Sequence, residues 1–229
     1  QDILDITSED EGRAIRSVHA KSHGILSGTL DILPDLPPEY AQGIFARPGP
    51  HAALARISTN PGDLLHDSIG LPRGLALKVL DVDGARLPKS EDSRSQDFVM
   101  VNAPAFSAKD GADFLKNLKL LAKTTDRAEW AKRGLAAVLR GAETLVEAAG
   151  GESSLLQSMG GAANVHPLGE TYYSMTPYRY GDHVAKFSAA PVSDTLTKLT
   201  GRIVDTSGRP DALREEVAAA MQEGDGVWE

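Results

Sequence analysis

Arg16-Ser17-Val18-His19-Ala20-Lys21 leads into Gly24-Ile25-Leu26-Ser27-Gly28-Thr29-Leu30-Asp31-Ile32, and the second part of this stretch decides the fold. It is a strand-like run whose side chains must alternate between two faces, one of them a packed interior. Pro34, Pro37 and Pro38 close it, because proline cannot donate to a strand ladder. The first part places an arginine and a histidine three residues apart at the strand entrance, so His19 is carried to the rim of a largely apolar cavity. A histidine there is a candidate acid–base group.

Working outward, further strands are expected at His51–Ser58, at Gly74–Val82, which ends in an Asp83-Gly84 turn, and at Gln96–Asn102. Strand signals return in Glu170–Arg179 and Asp182–Ala189, with Tyr180-Gly181 as the hairpin turn between them. Ser8-Glu9-Asp10-Glu11 reads as an N-cap with an acidic first turn, opening a short helix towards Arg16. From Asp110 the period becomes helical, with Phe114, Leu115, Leu118 and Leu121, then Leu135, Val138, Leu139 and Leu145, on repeating faces. A last helix is expected near Asp211–Met221, after Pro210. The pattern is that of an α+β chain. It is read as one domain over 1–229, an antiparallel barrel or sandwich with a helical insertion at about 107–165 and a C-terminal helix at about 210–223.

Composition excludes several functions. A formal charge of −8 and a pI near 5.3 argue against nucleic acid and anionic membrane surfaces, which are bound through clustered Lys and Arg. With no cysteine, thiolate metal sites, disulfides and thiol nucleophiles are impossible within these residues. No apolar run reaches the ~20 residues that span a bilayer, and the opening residues lack a basic targeting region, so the cytoplasm is expected. The turn-like Gly224-Asp225-Gly226 precedes Val227-Trp228-Glu229, where a strand begins, so the natural protein is expected to continue past residue 229.

Strand ends far apart in sequence converge on one mouth of a barrel. That would gather Arg16, His19, Arg56, Ser58 and Asn102. The set holds no carboxylate pair and no obvious nucleophile; it suits proton shuttling beside a cofactor that carries anionic groups. Each residue also has a structural alternative. Arg56 could pair with Asp63 or Asp67, Asn102 could serve the turn before Pro104, and Ser58 and Thr59 could cap a turn. His19 and His23, four apart, lack a third ligand, so no metal site is expected from them.

At this point the chain resembles the haem catalase family. The matching residues are Arg16–Lys21 with Gly28, Ala55-Arg56-Ile57-Ser58-Thr59, Asp67 with Arg73-Gly74-Leu75-Ala76-Leu77-Lys78, Asp97-Phe98 with Asn102 and Pro104, and Ala185-Lys186-Phe187, in the family's order. The resemblance implies a catalase-like antiparallel β-barrel, here incomplete on its C-terminal side, and a haem b. His19 and Asn102 would line the distal side as acid–base and peroxide-orienting groups, with Ser58 fixing the imidazole and Val18 narrowing the approach. Arg16 and Arg56 would pair with haem propionates, and Phe106 is the one aromatic residue placed to stack on the porphyrin. The family's proximal ligand sits in an Arg-x-x-x-Tyr motif, which this chain does not contain.

The implied activity is a haem-dependent catalase or peroxidase acting on hydrogen peroxide, in a homo-oligomer. Two alternatives remain: a catalase fold without functional haem acting as a small-molecule binder or interaction module, and a haem enzyme acting on lipid hydroperoxides.

Overall fold

The computed structural model describes residues 2–106, 108–124 and 162–229. Its framework is an antiparallel sheet of six strands in the order β1 (Ser22–Ile32), β2 (Gly49–Thr59), β3 (Arg73–Val79), β4 (Gln96–Val101), β5 (Tyr172–Ser174) and β8 (Ser188–Ala189), curled into a half-barrel. A separate two-stranded ribbon pairs β6 (Tyr178–Tyr180) with β7 (His183–Ala185). It turns at Gly181, whose φ of 60° lies in the left-handed region that glycine occupies without strain. Four helices accompany the strands among the described residues: α1 (Asp2–Asp10), α2 (Gly111–Thr124), α3 (Asp194–Thr197) and α4 (Ala212–Glu223). The helical periodicity read at Leu135–Leu145 lies outside the described residues.

Strand pairing sorts the side chains into two faces. Leu26, Ala55, Leu77 and Phe98 form one cross-strand row, and Gly24, Ile57, Leu75 and Met100 form the next. These rows meet Leu196 and Leu199 of the α3 segment and Val217, Ala220 and Met221 of α4 in the main core. Gly24 is where helix and sheet come closest, since a Cβ there would lie 2.9 Å from Val217 Cγ1. The opposite face carries the row Ile25, Arg56, Ala76, Val99 and the row Ser58, Gly74, Val101, Tyr173. It stays open: Ile25 is 69% exposed and Val99 57%.

β1 contains a bulge between Ser22 and Gly24, so that Ser22 pairs with Ser58 while Gly24 already pairs with Ile57. His23 is the inserted residue.

The N-terminal helix departs from the sequence reading. Ser8-Glu9-Asp10 forms the end of α1, not the start of a helix towards Arg16. Gly12 has φ 62° and its amide donates to Glu9 O (3.2 Å), while Glu11 N donates to Thr7 O (3.1 Å). A left-handed glycine ends a helix more decisively than acidic side chains open one.

Candidate functional site

His19 sits in a turn pinned to the loop that follows β2. Its amide donates to Asn60 O (2.7 Å), Ala20 N donates to Pro61 O (3.1 Å), and Val18 forms a bridge with Pro61. The approach is close enough that a Cβ on Gly62 would lie 2.5 Å from Ser17 O. Here His19 adopts φ 51°. For a residue with a Cβ this left-handed conformation costs on the order of 1–2 kcal/mol, and surrounding contacts must hold it in place. Arg56 supplies one, donating from Nη2 to the His19 carbonyl (2.7 Å) and to that of Ala20 (3.4 Å).

The imidazole lies on the open face of the sheet. Its Nδ1 shares a 3.0 Å hydrogen bond with Ser58 Oγ. Burial pushes the His19 pKa below its ordinary 6.5, and the positive charges of Arg56 and Arg16 push the same way. The ring is therefore neutral at neutral pH. When Nδ1–H donates to Ser58, Nε2 holds a free lone pair and can accept a proton.

No protein-family model matches the chain, and no curated protein sequence does. Solved structures do match. A fungal catalase aligns over 98% of this chain at 19% identity with a TM-score of 0.58. Catalase A from Saccharomyces cerevisiae aligns over 96% at 17% identity, and a bacterial catalase over 98% at 17% identity, each with a TM-score of 0.58. The fold is catalase-like. The chain spans less than half of each of those proteins, 44%, 44% and 42% of their lengths.

Within this catalase-like fold, His19, Ser58 and Arg56 come together as the sequence suggests, with Arg16 close enough for its charge to act on both His19 and Arg56. Val18 is partly exposed beside them. Phe106 packs on Phe114 of α2, with ring centroids 5.2 Å apart. Asn102 is not brought to the histidine. Gly74 pairs with Val101, and strand alternation turns the next residue to the opposite face. There the Asn102 amide donates to Glu170 Oε1 (2.7 Å), and its carbonyl accepts from Arg73 N (2.9 Å). Val101 occupies the His19 face instead.

The covered face at this end of the catalase-like sheet is a polar network. Arg73, 1% exposed, donates from Nε to Glu170 Oε2 (2.5 Å) and from Nη2 to Ala163 O (3.1 Å). Lys21 reaches the carboxylates of Asp67 (2.8 Å) and Asp211 (3.2 Å) and the carbonyls of Leu65 and Pro210. Asp67 is thereby committed to Lys21 rather than Arg56, and its Oδ2 also accepts from Leu213 N of α4 (2.8 Å). His23, 1% exposed, has no hydrogen-bond partner on either ring nitrogen. Its pKa is lowered to about 3, first by burial and then by the charges of Lys21, Arg73 and Arg214. The sequence marks Asn102 as a site residue and Arg73-Gly74 as part of a matching motif, but not the bonding of Arg73 and Asn102 to Glu170, nor the places of Gly74 and Val101 on the His19 face. Strand parity offered a signal: if Phe98 and Met100 point into the core, Asn102 must share their side.

Proposed function

We propose that the chain forms the distal side of a haem pocket at which peroxide is handled, and the observation that carries this is His19 itself. A strained, neutral histidine is locked by Ser58 through one ring nitrogen, with Arg56 bonded to its carbonyl and Arg16 near enough for its charge to act on the ring. Functional sites collect such strain, and here the turn is held in it by Asn60 and Arg56.

The residues on the open face fit one side of a haem. The row Ile25, Ala76, Val99 offers apolar surface across the strands, as a porphyrin face requires, and Arg56 interrupts it with charge. Guanidinium groups stay charged when partly buried and bind carboxylates in pairs of hydrogen bonds, so Arg56 and Arg16 would hold the propionates. No described residue is assigned as the axial ligand to iron. Haem supplies the redox chemistry when bound.

The chain's own part is proton management. His19 Nε2 takes the proton from one oxygen of the peroxide and returns it to the other, so the departing oxygen leaves as water rather than hydroxide. Ser58 keeps the ring from rotating during this exchange. Val101 presents methyl groups where a second hydrogen-bond donor was expected. Among the described residues the orienting contact to peroxide would therefore fall on His19, while Asn102 is bonded to the Arg73 backbone and to Glu170.

Haem titration tests the reading. Purified chain should develop a strong Soret band with added haem and then consume hydrogen peroxide, and His19→Ala should remove the consumption while keeping the band. Absence of the band overturns the haem reading in favour of a catalase-fold binder. Turnover of a fatty-acid hydroperoxide in preference to hydrogen peroxide would redirect it to lipid hydroperoxides.

A further inference from the structure

We infer that Gly74 is the positioning residue that seats the His19 imidazole: its missing side chain lets the ring lie against the sheet and reach Ser58. This rests on the role proposed for His19. Gly74 is the cross-strand neighbour of Ser58, and a Cβ built on it would lie 2.7 Å from His19 Cε1 and 3.1 Å from Nδ1. The next nearest atom, Met100 O, is at 3.5 Å, an ordinary contact. Only the imidazole occupies the space a side chain would fill. Gly74 is not among the residues with positive φ, so its backbone does not call for glycine.

The neighbouring groups leave the ring no easy retreat. The His19 backbone is held at both ends, its amide by Asn60 and its carbonyl by Arg56. A ring pushed off the sheet must therefore rotate about its own side-chain bonds, and that rotation breaks the 3.0 Å bond to Ser58. Gly74, Ser58 and Arg56 thus act together: one clears the space, one fixes the ring and one fixes the turn. No other described glycine has an imidazole as its nearest obstacle.

The test uses the chain without haem, followed by histidine-ring NMR. In Gly74→Ala the His19 titration midpoint should move upward, towards that of a solvated histidine, and the signature of an Nδ1 hydrogen bond should disappear. A double-substitution cycle covers the case of poor folding. Gly74→Ala should lower the denaturant midpoint in the native background and leave it unchanged in a His19→Ala background, where the obstacle is gone. An unchanged His19 titration in Gly74→Ala, or an equal loss of midpoint in both backgrounds, overturns the inference. A missing Soret band on haem addition overturns the peroxide reading and leaves the seating result standing, so the two failures are told apart.

Discussion

One end of this sheet presents two histidines in opposite circumstances. On the open face His19 is half-buried, strained and tied to one partner, Ser58. On the covered face His23 is fully buried and has no partner, surrounded by a network in which Arg73, Glu170, Asn102, Lys21 and Asp67 each hold several. The covered face spends its polar groups on one another and on the α4 terminus, which is what structure needs. The open face leaves a ring lone pair and an apolar surface uncommitted, with Arg56 held beside them by the carbonyls of the His19 turn, which is what chemistry needs. Sequence spacing does not separate these roles, because both sets lie at the ends of the same strands.

The sharpest way to break the contrast is to replace the open-face histidine. His19→Gly should lower peroxide turnover of the haem-loaded chain by roughly 10²–10⁴-fold, the usual contribution of a general acid–base group. The same change should shift stability by no more than about 2 kcal/mol, because the strain glycine relieves at φ 51° is offset by the lost bond to Ser58 and by glycine's freer unfolded chain. Urea unfolding beside initial-rate assays separates the two effects, and a stability loss beyond about 2 kcal/mol would move His19 into the structural class.

Arg73→Leu should do the reverse. Removing the guanidinium leaves the Glu170 carboxylate without its cationic partner and the Ala163 carbonyl without its donor, costing about 3–5 kcal/mol by chemical denaturation. The titration of His19 should be unaffected, because its ring lies on the other side of the sheet.

Acid exposes the buried histidine. Since the His23 pKa is lowered in the fold to about 3 from 6.5, the unfolded chain binds the extra proton first. The stability His23 provides as a neutral ring is complete above 6.5 and drains away as pH falls towards about 3, at up to about 1.4 kcal/mol per pH unit. His23→Leu should flatten that acid limb in a pH series of thermal melts; an identical limb would show that other groups drive it. The smallest effect belongs to the exposed Lys78–Asp97 pair, 2.7 Å apart and about half exposed. Lys78→Ala should change stability by less than about 1 kcal/mol and that little should vanish in high salt.

Much of the framework was legible in the sequence. Proline and glycine punctuation marked the four long strands to within a few residues, and their alternation implied a sheet with one packed side. The sequence also groups His19, Ser58 and Arg56, and these three lie together in the fold. What escaped depends on phase and register. Asn102 was placed by its position at a strand end, whereas its direction depends on whether it falls in step with Met100 or Val99. Gly74 gains meaning only once β3 is aligned beside β2 and the imidazole is seen above it. Acidic residues suggested the start of a helix at Ser8 because their effect on a helix start is local, but Gly12 ends the helix at that point.

The bulge in β1 has a consequence for how this protein can change. Removing its one extra residue, His23, would put every side chain from Gly24 to Ile32 one step out of phase, so that Ile25, Thr29 and Asp31 would turn towards α4 and Leu26 and Leu30 towards water. The alternative is for the strand to keep its core and drag the His19 turn along by one position, away from Ser58. The insertion thus works as a spacer between two gears: it lets the turn that carries His19 be set independently of the strand that fills the core.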